Sequence, residues 1–129
     1  MKMIEFVLLA IGAVIGVSLR YLIVASPKTI AGLPINVLAI NIIGSFILGL
    51  FSVLSLALNL DSNYTLLVAI GFCGSFTTMS SFALETSNLM DSNRFILVIL
   101  DIVANVGLSI GAVLGGKSVG TAITSRIFE

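Results

Sequence analysis

Gly71-Phe72-Cys73-Gly74-Ser75-Phe76-Thr77-Thr78-Met79-Ser80-Ser81-Phe82-Ala83-Leu84-Glu85 is the stretch on which the reading of this chain turns. Five hydroxyl side chains, Ser75, Thr77, Thr78, Ser80 and Ser81, follow two glycines, Gly71 and Gly74, inside an otherwise apolar run. In hydrocarbon every backbone polar group needs an internal partner. Irregular backbone is therefore tolerated there only where protein or a water-filled cavity covers it. Interrupted helices at membrane depth are a recurrent way of building ion sites. The stretch predicts a helix broken from Gly74 to Thr78, with the rest of the chain packing that break into its centre.

Working outward, the 129 residues are 58% hydrophobic and only 9% charged, with a mean hydropathy of +1.22. A soluble domain carries about 25% charged residues. Here the solvent is expected to be the lipid bilayer. With about 20 residues per span, the chain holds four helices and short loops. The predicted fold is an all-α membrane protein, one four-span domain over residues 1–129, with spans at about 6–24, 35–58, 64–89 and 95–114. Six basic residues balance six acidic ones, so no basic patch points to nucleic acid. The chain has one cysteine, Cys73, and no histidine. This excludes an intramolecular disulfide and His-based metal or general-base chemistry, and no nucleophile motif argues for an enzyme. A signal peptide also begins with a basic residue and an apolar run. Glu5 does not suit one, and the chain stays hydrophobic downstream.

Each span carries a few polar or small residues. Gly12 and Gly16 in the first form a GxxxG that allows close approach of another helix. Arg20, near its end, either snorkels to the interface or faces the bundle interior. Ser26-Pro27-Lys28 and Gly32-Leu33-Pro34 make the first loop. In the second span, Asn41 and Ser45 share a face. Asn41 reads as interhelical glue or as an N–H donor lining an anion path. Met79 and Phe82, three apart, share a face and read most simply as core packing. The fourth span carries a polar row, Asp101, Asn105 and Ser109. It also carries a small-residue row, Gly107, Gly111 and Gly115, expected to pack closely against another helix. The tail from Gly116 to Glu129 is expected to fray.

Orientation follows the Lys/Arg bias of the loops. Lys2, Lys117 and Arg126 lie on the side of both termini, and Arg20, Lys28 and Arg94 on the other. The bias is three against three, or three against two if Arg20 is buried. Such a chain is expected to insert both ways and to form an antiparallel dual-topology dimer.

With these residues in place, the chain resembles the CrcB/Fluc family of fluoride channels over almost its whole length. The first span carries Gly12-Ala13-Val14-Ile15-Gly16-Val17-Ser18-Leu19-Arg20-Tyr21. The second carries Leu38-Ala39-Ile40-Asn41-Ile42-Ile43-Gly44, and the third carries Gly71 to Phe82 followed by Glu85. The resemblance implies a two-pore dimer that passively exports fluoride across the cell membrane and so lowers cytoplasmic fluoride. It also implies a structural sodium ion at the dimer centre, held by backbone carbonyls that fall on Gly74 and Thr77. This agrees with the chemistry of a break, which frees carbonyl oxygens, the ligands that hard cations take. The pore-lining positions it implies are Asn41, Thr78, Met79, Ser81, Phe82, Asn105 and Ser109, with Arg20 as a vestibule charge. Hydroxyls and amides would replace water around the ion. The positive edge of the Phe82 ring would face the anion.

The chain departs from the family pattern at Met79, where the family has a first phenylalanine, and at Asn105, where it has an aromatic or His. Asp101 is an anion expected to repel another unless a cation pairs with it. Beside the homodimer, these departures support a heterodimer in which this chain is the partner of a paralogue. A different reading is a small dual-topology, proton-coupled exporter of organic cations. It needs a membrane-embedded acid, for which Asp101 is the deeply placed candidate. A non-transporting assembly subunit would explain the glycines but not the polar stretch.

Overall fold

The computed structural model describes residues 2–127. Residue 1 of the expected charged start and residues 128 and 129 of the tail lie outside that range. Helix α1 runs from Met3 to Val24 and ends where Ala25 N–H closes on Tyr21 O. A two-residue antiparallel hairpin follows, β1 (Thr29–Ile30) and β2 (Leu33–Pro34). Both residues at its turn, Ala31 and Gly32, have positive φ, 52° and 85°, the conformation that two-residue hairpins favour. Helix α2 then runs from Asn36 to Ala57. Its first residue stitches the elbow together: Asn36 Nδ2 donates to the Ile23 and Ser26 carbonyls, and Asn36 Oδ1 accepts from Lys28 N–H at 2.6 Å.

The third apolar stretch, Ser62–Asp91, is wound in pieces. A short turn, α3 (Ser62–Tyr64), is capped by Asp61, whose carboxylate accepts from Asn63 N–H. Thr65–Cys73 is a π-helix, followed by one α-helical turn, α4 (Gly74–Phe76). Thr77 (ψ 157°) and Thr78 (φ −151°, ψ 114°) are extended, and α5 (Met79–Asp91) starts anew with Thr78 as its N-cap. Gly74 itself is helical, so the extended step is confined to two residues. A last helix, α6, spans Phe95–Ile127. Among the described residues, four stretches are thus long and apolar enough to cross a membrane.

Tight packing skips one span each time. α1 lies on the first half of the third stretch. A methyl at Gly12 would overlap the Leu67 carbonyl, one at Gly16 the Phe72 carbonyl, and one at Gly71 the Leu9 carbonyl. α2 lies on α6, where methyls at Gly49 and Gly116 would overlap the Val113 and Phe46 carbonyls. Lipid supplies no hydrophobic drive between helices, so such backbone contact is how they hold together.

Two expectations about α6 are corrected. The tail does not fray at Gly116: Gly116, Gly120 and Thr124 are buried, and the helix continues to Ile127. Its hydroxyls stay helical by bonding carbonyls four residues back, Ser118 to Leu114, Thr121 to Lys117 and Thr124 to Gly120. The row that packs within the chain is therefore Gly116–Gly120. The expected row packs tightly against no helix of this chain: added methyls at Gly107 and Gly111 meet nothing within 4 Å, and one at Gly115 only grazes the Phe46 ring.

The molecule is apolar outside and partly polar within. Large apolar side chains such as Val14, Ile96, Ile99 and Val103 are exposed, whereas Asn36, Thr78, Thr86, Asp101 and Asn105 are buried beside Val37, Ile40, Phe76 and Phe82. This suits a chain whose outer solvent is lipid and whose inner polar groups bond one another.

Candidate functional site: a cavity beside Thr77 and Thr78

A cavity of about 410 Å³ opens where α2, the extended step, α5 and α6 meet. α2 contributes Asn41, Gly44 and Ser45, and the third stretch Cys73, Gly74, Thr77 and Thr78. α5 contributes Met79 and Phe82, and α6 Asn105 and Ser109. Gly44 makes room for this step, because a methyl there would overlap the Thr77 side chain. Phe82 is buried, whereas Met79 is 72% exposed and sits at the open side.

The extended step is held by side chains. In a continuous helix Thr78 N–H would bond Gly74 O, and Ser81 N–H would bond Thr77 O. Thr78 N–H donates instead to Asn41 Oδ1 at 2.9 Å, and Ser81 N–H to Thr78 Oγ1 at 3.1 Å. The Gly74 and Thr77 carbonyls are thereby deprived of their helical donors. Gly74 is exposed and Thr77 half-buried. Thr77 is tied back instead, its N–H and hydroxyl both donating to Cys73 O, at 3.0 and 2.8 Å.

A second set of bonds runs from Asn41 into α6. Asn41 Nδ2 donates to Thr78 O at 3.4 Å and to Asn105 Oδ1 at 3.1 Å. Asn105 Nδ2 donates to Asp101 O at 3.2 Å and Asp101 Oδ1 at 2.9 Å. The Thr86 hydroxyl reaches Asp101 Oδ2 at 2.6 Å and Phe82 O at 2.9 Å. Asp101 is completely buried, and both its oxygens meet uncharged side chains. It does not line the cavity.

Of the positions named from sequence, Asn41, Thr78, Met79, Phe82, Asn105 and Ser109 come together on the cavity wall, with Gly74 and Thr77 beside them. Ser81 and Arg20 do not. Ser81 lies behind the wall, its hydroxyl accepting from Thr78 Oγ1 at 3.1 Å. Arg20 is half-buried toward the end of α1. The amides of Asn41 and Asn105 arrive with their N–H groups already engaged. Ser109 Oγ, by contrast, is buried without a hydrogen-bond partner, as is Glu85 Oε2. Sequence reasoning missed Thr86, the partner of Asp101. Its signal was there: it lies four residues after Phe82, on the same helix face.

The four stretches long and apolar enough to cross a membrane make this a multi-pass membrane protein. The chain belongs to the CrcB family: the family model described as "CrcB-like protein, Camphor Resistance (CrcB)" matches residues 7–117. A relative from Nitrosopumilus maritimus, named fluoride-specific ion channel FluC, is 57% identical over 126 residues, covering 98% of this chain and 100% of the relative. Proteins of the same name from Sulfurihydrogenibium sp. and Methanocaldococcus jannaschii are 39% and 40% identical. These alignments cover 87% and 79% of this chain, and 93% and 82% of the relatives.

Proposed function

We propose that this chain is a fluoride-selective channel of the cell membrane, giving passive export that lowers cytoplasmic fluoride. The observation that carries the reading is the cavity beside Thr77 and Thr78, with the buried, unpartnered Ser109 hydroxyl on its wall. A small anion sheds water only if donors replace it. Ser109 is a donor with no other task, and the nearby Phe82 ring has a positive edge to offer. The name carried by relatives up to 57% identical supplies the ion.

The working unit in this reading is an antiparallel pair of copies inserted in opposite senses. Its supports are the near-balanced loop charges and the exposed rim of the cavity at Gly74 and Met79. The extended pair acts as the helix break of the family. The Gly74 and Thr77 carbonyls, which lack their helical donors, suit a hard monovalent cation. Two copies would bring four such oxygens to one structural sodium ion, which would brace the two breaks against each other.

Liposomes loaded with fluoride and containing the purified chain and sodium test this. Rapid efflux of fluoride but not chloride is expected, with loss of efflux or of the pair when sodium is withheld. A folded chain that passes no fluoride, alone or with a paralogue, would sink the reading. Met79 favours a second reading, an obligate pair with such a paralogue, since a flexible thioether rather than a ring edge stands at the cavity mouth. Co-expression decides between them. The organic-cation exporter draws less support, because Asp101 is fully buried and does not face the cavity.

A further inference from the structure

We infer that Asp101 is a positioning residue for the cavity, acting through Asn105 on Asn41 and so on the extended step at Thr78. The inference rests on the functional reading above for its transport readout, but its geometry stands apart from it.

The chain of bonds has only one consistent direction, and both of its ends dictate the same one. At the far end, the Asp101 carbonyl and Oδ1 are both acceptors facing one group of Asn105. That group must be the NH2, since a flipped amide would set oxygen against two oxygens. Asn105 Oδ1 is then turned to Asn41, whose facing atom must donate. At the near end, Thr78 N–H can only donate, so the Asn41 atom it meets must be the oxygen, leaving Nδ2 for Asn105.

Asp101 is 0% exposed, and a carboxyl at that depth is unfavourable unless its oxygens are matched. Here each oxygen has one partner, the Thr86 hydroxyl on α5, which also lies 2.9 Å from Phe82 O, and the Asn105 amide on α6. The carboxyl thus joins α5 to α6, and the two amides carry that register across to α2 and to the two residues that leave the helix. With all four amide N–H bonds engaged, Asn41 and Asn105 hold the wall in place. The uncommitted hydroxyl of Ser109 is left to meet the ion. Donors held rigidly at a fixed spacing favour a small anion over a larger one.

The test compares Asp101→Ala, Asp101→Asn and Asn105→Ala in the full chain in liposomes. Alanine removes the hold on Asn105 except for the backbone carbonyl, and efflux of fluoride should fall about fivefold, the worth of one buried hydrogen bond, with a narrower fluoride-to-chloride ratio. Asparagine keeps an acceptor for Asn105 and should recover most of both. Adding Asp101→Ala to Asn105→Ala should change little further, because the two act in one chain.

A second readout needs no transport: in protein labelled with 15N-asparagine, the side-chain amide signals of Asn41 and Asn105 should shift in Asp101→Ala and return in Asp101→Asn. If Asp101→Ala does not fold, Thr86→Val removes the hydroxyl that meets Oδ2 and should move the Asn105 signal. Unmoved amide signals in a folded variant, or an Asp101→Asn protein no better than alanine, would overturn the inference. A wild-type chain that passes no fluoride but shows the amide shifts would overturn the functional reading alone.

Discussion

The inward face of α6 carries two rows with the same four-residue spacing and opposite effects. Asp101, Asn105 and Ser109 run along its first half, and Gly116, Gly120 and Thr124 along its second. In the second half the glycines let α2 settle close, with its backbone at Phe46 and Leu50 and its Val53 side chain against them. In the first half polar side chains stand between the helices, and beside them lies a cavity of about 410 Å³. Spacing alone sets which residues share a face. Side-chain size and hydrogen bonding set whether that face closes on its neighbour or keeps it at a distance.

The comparison can be broken most sharply at its closed end. Gly116→Leu drives a side chain into the Phe46 carbonyl and the Leu50 amide. Overpacking against backbone should remove at least about 3 kcal/mol of stability, seen as loss of the folded peak in detergent size-exclusion chromatography. At the open end, Asn41→Leu fills part of the wall and deletes the clasp on Thr78. Fluoride efflux should fall at least about tenfold, given two or more lost bonds, while the chain still elutes as folded. Ser109→Ala is a finer cut, removing only the free hydroxyl. Efflux should fall about fivefold with the melting temperature unchanged, because no bond within the chain is lost. The smallest effect is expected on the outward row: Gly111→Ala meets nothing within 4 Å. It should raise thermal stability slightly, by up to about 1 kcal/mol from helix propensity.

Much of this was legible in the sequence, for identifiable reasons. Hydropathy located the apolar stretches because lipid admits so few charges. The hydroxyl-rich run located the extended residues because Asn41 and Thr78 can replace the lost helical bonds. Which glycines of α6 pack within the chain is hard to read, because Gly107, Gly111 and Gly115 have the same spacing as Gly116 and Gly120. Only the positions of Phe46, Leu50 and Val53 across the interface distinguish the two rows. The tail was misread as frayed because its serines and threonines look polar, although each bonds a carbonyl of its own helix. The π-helical winding of Thr65–Cys73 has no side-chain signature, since it is a choice among backbone partners. The sequence suggests a cation as the partner of Asp101, because Thr86, which meets it, lies on another helix.

The packing order of the helices also bears on how the chain is made. α1 finds its glycine-lined partner in the third stretch, and α2 finds its own in α6. The first two spans are joined at the Asn36 elbow between them, and their glycine-lined partners are made only later. The interlocked arrangement closes only after the fourth span has been synthesised. The α1 pair can close once the third stretch is made, whereas α2 must wait for α6.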